Sequence, residues 1–276
     1  MCVVGADALI GPRFCKKDTF RVDLGIDPYG LDLYGGNTME IRWLGHACFT
    51  VTHKGYTLVI DPYNADYIPG YPKLRGVKAD KLLISHDSYG HNYTPGVVLS
   101  GRPESDCPFT ITPMEVWHDT VCGIMRGSCL IHLIEADGIR VAHMGDIGAP
   151  LTGEQMGKLY DLDAMMITAG SCTALPSQEV FRLAEELFPK VLIPMHYRDG
   201  SRGPRRLEHV EELTKHYAPG MVHFYDSDRI TITADMEPQI AVLKYLGLPD
   251  AERGILEKKP SLMERAASKL PFFRRK

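Results

Sequence analysis

Lys81-Leu82-Leu83-Ile84-Ser85-His86-Asp87-Ser88-Tyr89-Gly90-His91-Asn92 begins as a short apolar run and stops abruptly at a cluster of polar and imidazole side chains. A run this short and this apolar reads as a buried strand. The cluster after it, with His86 and His91, is then carried at the strand's carboxyl edge.

Three further places supply the same chemistry at the end of an expected strand: Trp117-His118-Asp119, Met144-Gly145-Asp146-Ile147-Gly148 and Ile193-Pro194-Met195-His196-Tyr197. A lone histidine after a strand is usually a hydrogen-bonding residue of the fold. Four such groups in order point instead to imidazole and carboxylate ligands converging from several loops, the arrangement by which a divalent ion activates water.

Around these clusters the chain changes texture. Residues 1–38 are rich in Gly, Asp and Pro and show no period, so an irregular extension is expected there. From Met39 come β-rich runs, Glu40–Leu44, Cys48–Thr52 and Tyr56–Ile60, broken by Gly45-His46 and Lys54-Gly55. Phe109–Thr112, Leu130–Ile134 and Ile139–Met144 follow, the last two joined by Asp137-Gly138, a hairpin signal. Helical spacing then appears at 153–161, 176–188 and 205–217, with Ser177 as a plausible cap. These segments alternate with the strand runs Ala164–Ile167 and Val191–Pro194, and Val222–Tyr225 and Ile230–Ile232 close the series. A β-rich first half followed by αβ units suggests two packed sheets flanked by helices. The domain is expected to span 39–247, followed by a basic tail over 248–276.

With 44% hydrophobic and 24% charged residues the 276-residue chain can bury a large core, and a net charge of -4 gives no bulk attraction for nucleic acid. Seven scattered cysteines without a CxxC pair argue against a disulfide scaffold or a thiolate zinc site, and suggest reduced thiols. There is no basic leader with a long apolar run and no transmembrane segment, so a cytoplasmic, soluble protein is expected. Arg253–Lys276 carries eight basic residues against two acidic ones, with Leu262, Met263, Ala266, Ala267 and Leu270 near one helical face. A solvated terminal helix is the first reading of this tail and weak membrane-surface contact the second.

The order and spacing of these residues resemble the metallo-β-lactamase superfamily, in the branch that includes the L-ascorbate-6-phosphate lactonase and metal-dependent hydrolases of similar length. The resemblance runs from about Met39 to Ile232 and includes Trp43-Leu44-Gly45-His46 and Ile60-Asp61-Pro62. It implies a four-layer αβ/βα sandwich with two mixed β-sheets and a site on one edge between them. It also implies His86, His118 and Asp146 for one metal ion and His91, His196 and Asp146 for another, with Asp146, His86 and His91 as the catalytic centre. One or two divalent ions are expected, zinc first, with manganese and iron also compatible with such ligands.

The chain departs from the pattern at two positions. The branch's first motif commonly reads Ser-His-Asp-His-Tyr-Asp-His-Asn, whereas here Ser88 replaces the second histidine and Gly90 the aspartate. Each ion would lose one protein ligand, and with the aspartate goes proton transfer, a contribution of order 10² to 10⁴ in rate. Asp87 is weighed as a substitute and disfavoured, because in an extended motif its side chain points away from that of His86.

The resulting expectation is a hydrolase that uses a metal-activated water on an ester, lactone, amide or phosphoester. The alternative is a catalytically silent binding or regulatory protein of the same fold. His46 is a secondary candidate for lining the site and Asp61 for bonding a ligand histidine from outside, each weighed equally against a structural role. Arg198, Arg202, Arg205 and Arg206 are read first as a solvated surface cluster and second as candidates for an anionic substrate group. His53, His132, His143, His209, His216 and His223 are assigned to structure or surface, and Cys122 and Cys172 to packing. The expected partner is a small molecule rather than nucleic acid, and a homo-oligomer is left open.

Overall fold

A computed structural model of the chain describes residues 37–247, Cys172 apart. The expected extension and basic tail fall, but for residues 37 and 38, outside the described residues. In chain order the strands and helices are β1 (Met39–Gly45), β2 (Cys48–His53), β3 (Tyr56–Ile60), β4 (Val77–Ala79), β5 (Lys81–Leu83), β6 (Val97–Leu99), β7 (Thr110–Trp117), β8 (Ser128–Ala136), β9 (Ile139–His143), α1 (Gly153–Leu159), β10 (Ala164–Thr168), α2 (Ser177–Leu187), β11 (Val191–Met195), α3 (Glu211–Thr214), β12 (Val222–Phe224), β13 (Arg229–Ile232) and β14 (Gln239–Val242).

The strands assemble into a five-stranded sheet, β13-β1-β2-β3-β5, and a seven-stranded sheet, β12-β14-β11-β10-β9-β8-β7, with β4 and β6 as a small pair. Both sheets are mixed: β3–β5 is parallel within an otherwise antiparallel first sheet, while β7, β8 and β9 pair antiparallel and the rest of the second sheet is parallel. This is the two-sheet α/β architecture that the sequence suggested.

Alternation along the strands explains the layering. Ile41, Trp43, Phe49, Val51, Leu58 and Ile60 point into one core shared with Ile134, Val141, Met166 and Ile193 of the second sheet, so the two sheets pack face to face. Leu44, Cys48 and Val59 point the other way and are covered by Tyr63, Ile68, Tyr71, Leu74 and Val77. Irregular chain from 63 to 77 therefore closes that face. On the second sheet α2 buries Val180, Ala184 and Leu187 in the shared core.

Local chemistry accounts for most elements. Asp137 and Gly138 both take left-handed φ (48° and 84°), as a two-residue hairpin turn requires, and join β8 to β9. A reciprocal capping box, Thr152 with Gln155, starts α1.

Three expectations need correction. Ser177 is not a cap: Pro176 stands at that position and no side chain caps the helix. The helix over 205–217 shrinks to Glu211–Thr214, because the segment before it is drawn into bridges, Leu207 with Ser171 and His209 with Arg198. Nor is Lys81–Ser85 a fully buried strand. It pairs only with β3 at the edge of the first sheet, and Lys81 and Leu82 are half-buried. Past Leu83 the chain leaves that sheet, and the Ser85 carbonyl accepts from Leu130 N of β8 at 2.8 Å. The crossing delivers His86 to the seam between the sheets.

Candidate metal centre

Six chemically competent side chains meet at that seam, each supplied just past a strand end: His46 after β1, His86 and His91 after β5, His118 after β7, Asp146 after β9 and His196 after β11. Carboxyl ends of strands are where α/β folds assemble sites, because loops there can be shaped without disturbing the sheet. They line a cavity of about 310 Å³. Ligand atoms of His46, His91 and His196 lie within 4.8 Å of one another, and so do those of His86, His118 and Asp146.

The two groups share a centre. Asp146 Oδ2 is 3.4 Å from His91 Nε2, 3.5 Å from His196 Nε2 and 3.7 Å from His118 Nε2. Ring centroids of His86 and His91 are 4.2 Å apart, as are those of His46 and His196.

The backbone is bent to achieve this. His46, Asp61 and His196 all have left-handed φ, at 53°, 48° and 52°, which β-substituted residues seldom adopt and which tends to gather at functional sites. Compensating bonds hold two of them: the His46 carbonyl accepts from His196 N at 3.1 Å and from Trp43 Nε1 at 3.0 Å. Gly45, at φ 106°, packs so closely on Tyr71 that a Cβ would lie 2.8 Å from its ring, so only glycine fits. At Gly148 a Cβ would come within 2.4 Å of the His118 carbonyl oxygen, which is how the Asp146 loop closes on the β7 loop.

Asp61 lies behind His91. It accepts from His91 Nδ1 at 2.8 Å, Ser85 N at 2.6 Å and Ser85 Oγ at 2.5 Å. This fixes the imidazole with Nε2 turned to Asp146. Burial pushes the Asp61 carboxyl up, but the neighbouring His91 and these hydrogen bonds outweigh it and hold the group at about 2. His91 shows the converse: burial opposes its charge, yet Asp146 and Asp61 raise it to about 10.

The other imidazoles stay in their neutral, electron-pair-donating form. Burial, reinforced by the neighbouring histidines, holds His46 well below its ordinary value. Burial likewise brings His86 and His196 to about 4; at His86 the neighbouring His91 outweighs the pull of Asp146, and at His196 burial prevails over that pull.

Several polar atoms here are buried without a hydrogen-bond partner: Asp146 Oδ1 and the Nδ1 atoms of His46, His118 and His196. Buried polar atoms are nearly always paired, so a cluster of orphans marks a place where an ion or ordered water belongs. The donor set of imidazoles and one carboxylate matches a divalent transition metal.

The remaining candidates separate clearly. Ser88 and Gly90 line the cavity; Asp87 is exposed and hydrogen-bonded by Asn92 Nδ2, which removes it as a substitute carboxylate. Arg198 lines a different cavity of about 450 Å³ with Tyr197, Asp199 and Arg202. Arg202 bonds Asp199 and lies over the Tyr245 ring, while Arg205 is exposed and lines neither cavity.

Of the four arginines named from sequence, Arg206 alone lines the metal cavity, and it is joined there by Arg126, which sequence reasoning passed over. Arg126 is held by a tight loop in which the Asp119 carboxylate accepts four backbone N–H groups, of Val121, Gly123, Met125 and Arg126. The Asp following His118 was the available signal. Exposed Tyr67 and Tyr89 stack at 3.9 Å on the same wall.

His53 bonds Thr38 O and Asp137, His132 bonds Ile84 O, and His143 bonds Ala47 O, all structural contacts. Cys122 is exposed rather than packed, a correction, and Cys172 lies outside the described residues.

A family model described as the beta-lactamase superfamily domain matches residues 40–196, more than half of the chain. The chain belongs to this family, the metallo-β-lactamase superfamily. It is 28% identical over 189 residues to a UPF0173 metal-dependent hydrolase of Pyrobaculum neutrophilum, covering 58% of this chain and 84% of that one. It is 25% identical over 194 residues to another of that name from Archaeoglobus fulgidus, covering 58% and 83%.

Among solved structures, a metallo-β-lactamase superfamily protein of Thermotoga maritima superposes with a TM-score of 0.55 at 24% identity, covering 74% of this chain and 98% of that one. An isothiocyanate hydrolase from Delia radicum gut bacteria superposes at 0.53 with 11% identity, covering 75% and 97%. These two likenesses concern the fold. Among the described residues, no helix is long and apolar enough to cross a membrane.

Proposed function

We propose that this chain is a metal-dependent hydrolase acting on an ester, lactone, amide or phosphoester that carries an anionic group. The observation behind the reading is the convergence of imidazoles on Asp146 Oδ2 at the floor of a cavity whose lining includes Arg126 and Arg206. In this reading His86, His118 and Asp146 hold one ion, and His91 and His196 face a second across the shared Asp146. Zinc suits the donors best; manganese and iron are compatible.

A divalent ion held here lowers the pKa of water toward neutrality and polarises a carbonyl or phosphoryl oxygen. The rest falls to the chain's own groups. Asp61 orients His91 through Nδ1, and burial keeps His46, His86 and His196 neutral and ready to donate electron pairs. Arg126 and Arg206 meet an anionic substituent, and a lactone or ester of a phosphorylated or carboxylated compound fits that demand. Among the described residues lining the cavity Asp146 is the sole carboxylate, so proton handling is weaker than with a second one at position 90. The free thiols Cys48, Cys107, Cys122 and Cys129 suit a reducing compartment such as the cytoplasm.

The scarcity of carboxylates is also what favours the second reading, a catalytically silent binding protein. Metal analysis of the purified chain, followed by turnover assays on carboxylester, lactone and phosphodiester panels with and without chelator, separates the two. One or two bound ions and chelator-sensitive turnover of at least one panel are expected. Bound ions without turnover would favour the silent reading, and a chain that takes up no ion would end both metal assignments.

A further inference from the structure

We infer that His46 is itself a metal ligand, standing in for the side chain absent at Gly90 and giving the buried half of the centre three imidazoles beside the shared Asp146. The inference rests on the reading above that the cluster holds ions, and adds which residue completes it.

The argument begins with space. A Cβ built on Gly90 would lie 3.0 Å from His46 Nε2, 3.5 Å from His46 Cδ2 and 3.6 Å from Ile68 Cδ1. The His46 ring occupies the direction in which any side chain at position 90 would grow. Glycine there lets the imidazole approach His91 and His196, with ring centroids at 5.6 and 4.2 Å.

The second strand is the absence of another use for this imidazole. His46 is 1% exposed, and its Nδ1 is buried with no hydrogen-bond partner. The structural histidines nearby each spend a ring nitrogen on a main-chain carbonyl, His132 through Nε2 on Ile84 O, although its Nδ1 too is unpartnered, and His143 through Nε2 on Ala47 O. A purely structural His46 would be expected to do the same. Its ring instead lies among ligand atoms, all within 4.8 Å of one another across His46, His91 and His196. Its carbonyl, by accepting from His196 N, ties the two ligands' backbones together.

The chemical consequence is a change in what the site prefers. Three imidazole donors suit zinc and other late first-row ions, whereas manganese and magnesium prefer oxygen donors. An imidazole in the space that a carboxylate at position 90 would fill therefore shifts the buried half toward zinc. Asp146 remains the one carboxylate among the described residues lining the cavity.

The test uses the full chain stripped of metal and titrated with zinc, manganese and cobalt, the last read by its visible absorption. His46→Ala and the size-conserving His46→Gln should each weaken one zinc event by more than about 100-fold, beyond the 10–100-fold typical of outer partners. Both should also alter the cobalt spectrum while leaving the circular dichroism of the fold intact.

Gly90→Asp should weaken zinc binding in the native background, where carboxylate and imidazole compete for one space, and strengthen it in His46→Ala. That reversal of sign is a coupling only neighbouring residues show. Wild-type zinc binding in both His46 variants, with binding lost in His91→Ala, would overturn the role of His46 and leave the metal centre standing. Unchanged binding in His91→Ala as well would remove the centre itself. If the His46 variants fail to fold, the effect of Gly90→Asp in the native background decides: weaker zinc binding supports the inference, and stronger binding overturns it.

Discussion

The two halves of the centre are made from nearly the same residue types and differ in what surrounds them. His46, His91 and His196 are all buried and bring no carboxylate of their own, whereas His86 is half-buried and shares its group with Asp146. Both halves draw on loops of both sheets, the first after β1, β5 and β11 and the second after β5, β7 and β9. Burial in the first half strips water from the imidazoles and keeps His46 and His196 uncharged, whereas Asp146, with Asp61 from behind, favours a proton on His91 in the metal-free chain. The lesson is that environment, more than residue identity, decides which imidazoles hold a proton.

This contrast can be broken in several ways. The largest effect is expected from Asp146→Ala, which faces both halves: metal content should collapse, with affinity down by more than about 100-fold by calorimetry, past what an outer partner costs. Loss of only one ion would mean that the halves are independent.

Asp61→Asn should act on the buried half alone. It removes the acceptor that orients His91, and one zinc event should weaken about 10–100-fold while the other holds. Equal weakening of both would merge the halves into one unit.

The same residue gives a pH signature in the metal-free chain. Because the folded carboxyl sits at about 2, below its ordinary value near 4, its stabilising contribution is complete above about pH 4 and is lost as pH falls toward 2. Chemical denaturation between pH 5 and 2 should therefore show a loss of order 2 kcal/mol that is absent in Asp61→Asn. An identical acid slope in both proteins would show that Asp61 is not so held.

At the mouth of the cavity, Arg126→Ala should raise KM for anionic substrates with kcat little changed, a uniform binding loss of about 1–3 kcal/mol for a charge-assisted contact. Arg198→Ala, in the other cavity, should leave both constants as they were, and the reverse outcome would relocate the substrate. The smallest effect belongs to Thr152→Ala. It removes the α1 capping box, whose residues do not line the metal cavity, and should cost about 1 kcal/mol in thermal unfolding with metal content unchanged.

What the amino-acid order determined by itself is what depends on neighbours along the chain. The period-two runs of β1 to β3 and β8 to β9, the Asp137-Gly138 turn and the α2 stripe are local patterns, and they were legible as such. So was the recurrence of imidazoles and a carboxylate at 86, 91, 118, 146 and 196, where apolar runs end, and these five side chains line one cavity. Tertiary structure decided what depends on distant partners. β14 carries no alternation and exists because β11 and β12 pair with it on either side; the expected helix over 205–217 yields to bridges from Ser171 and Arg198.

His46 is the sharpest case. The sequence marked this histidine of a hairpin turn only as a secondary candidate, weighed equally against a structural role, and only the approach of the loops after β5 and β11 brings His91 and His196 to its ring. The reason is physical: a ligand sphere is a condition on distances between residues scores of positions apart, and period and propensity describe only the nearest few.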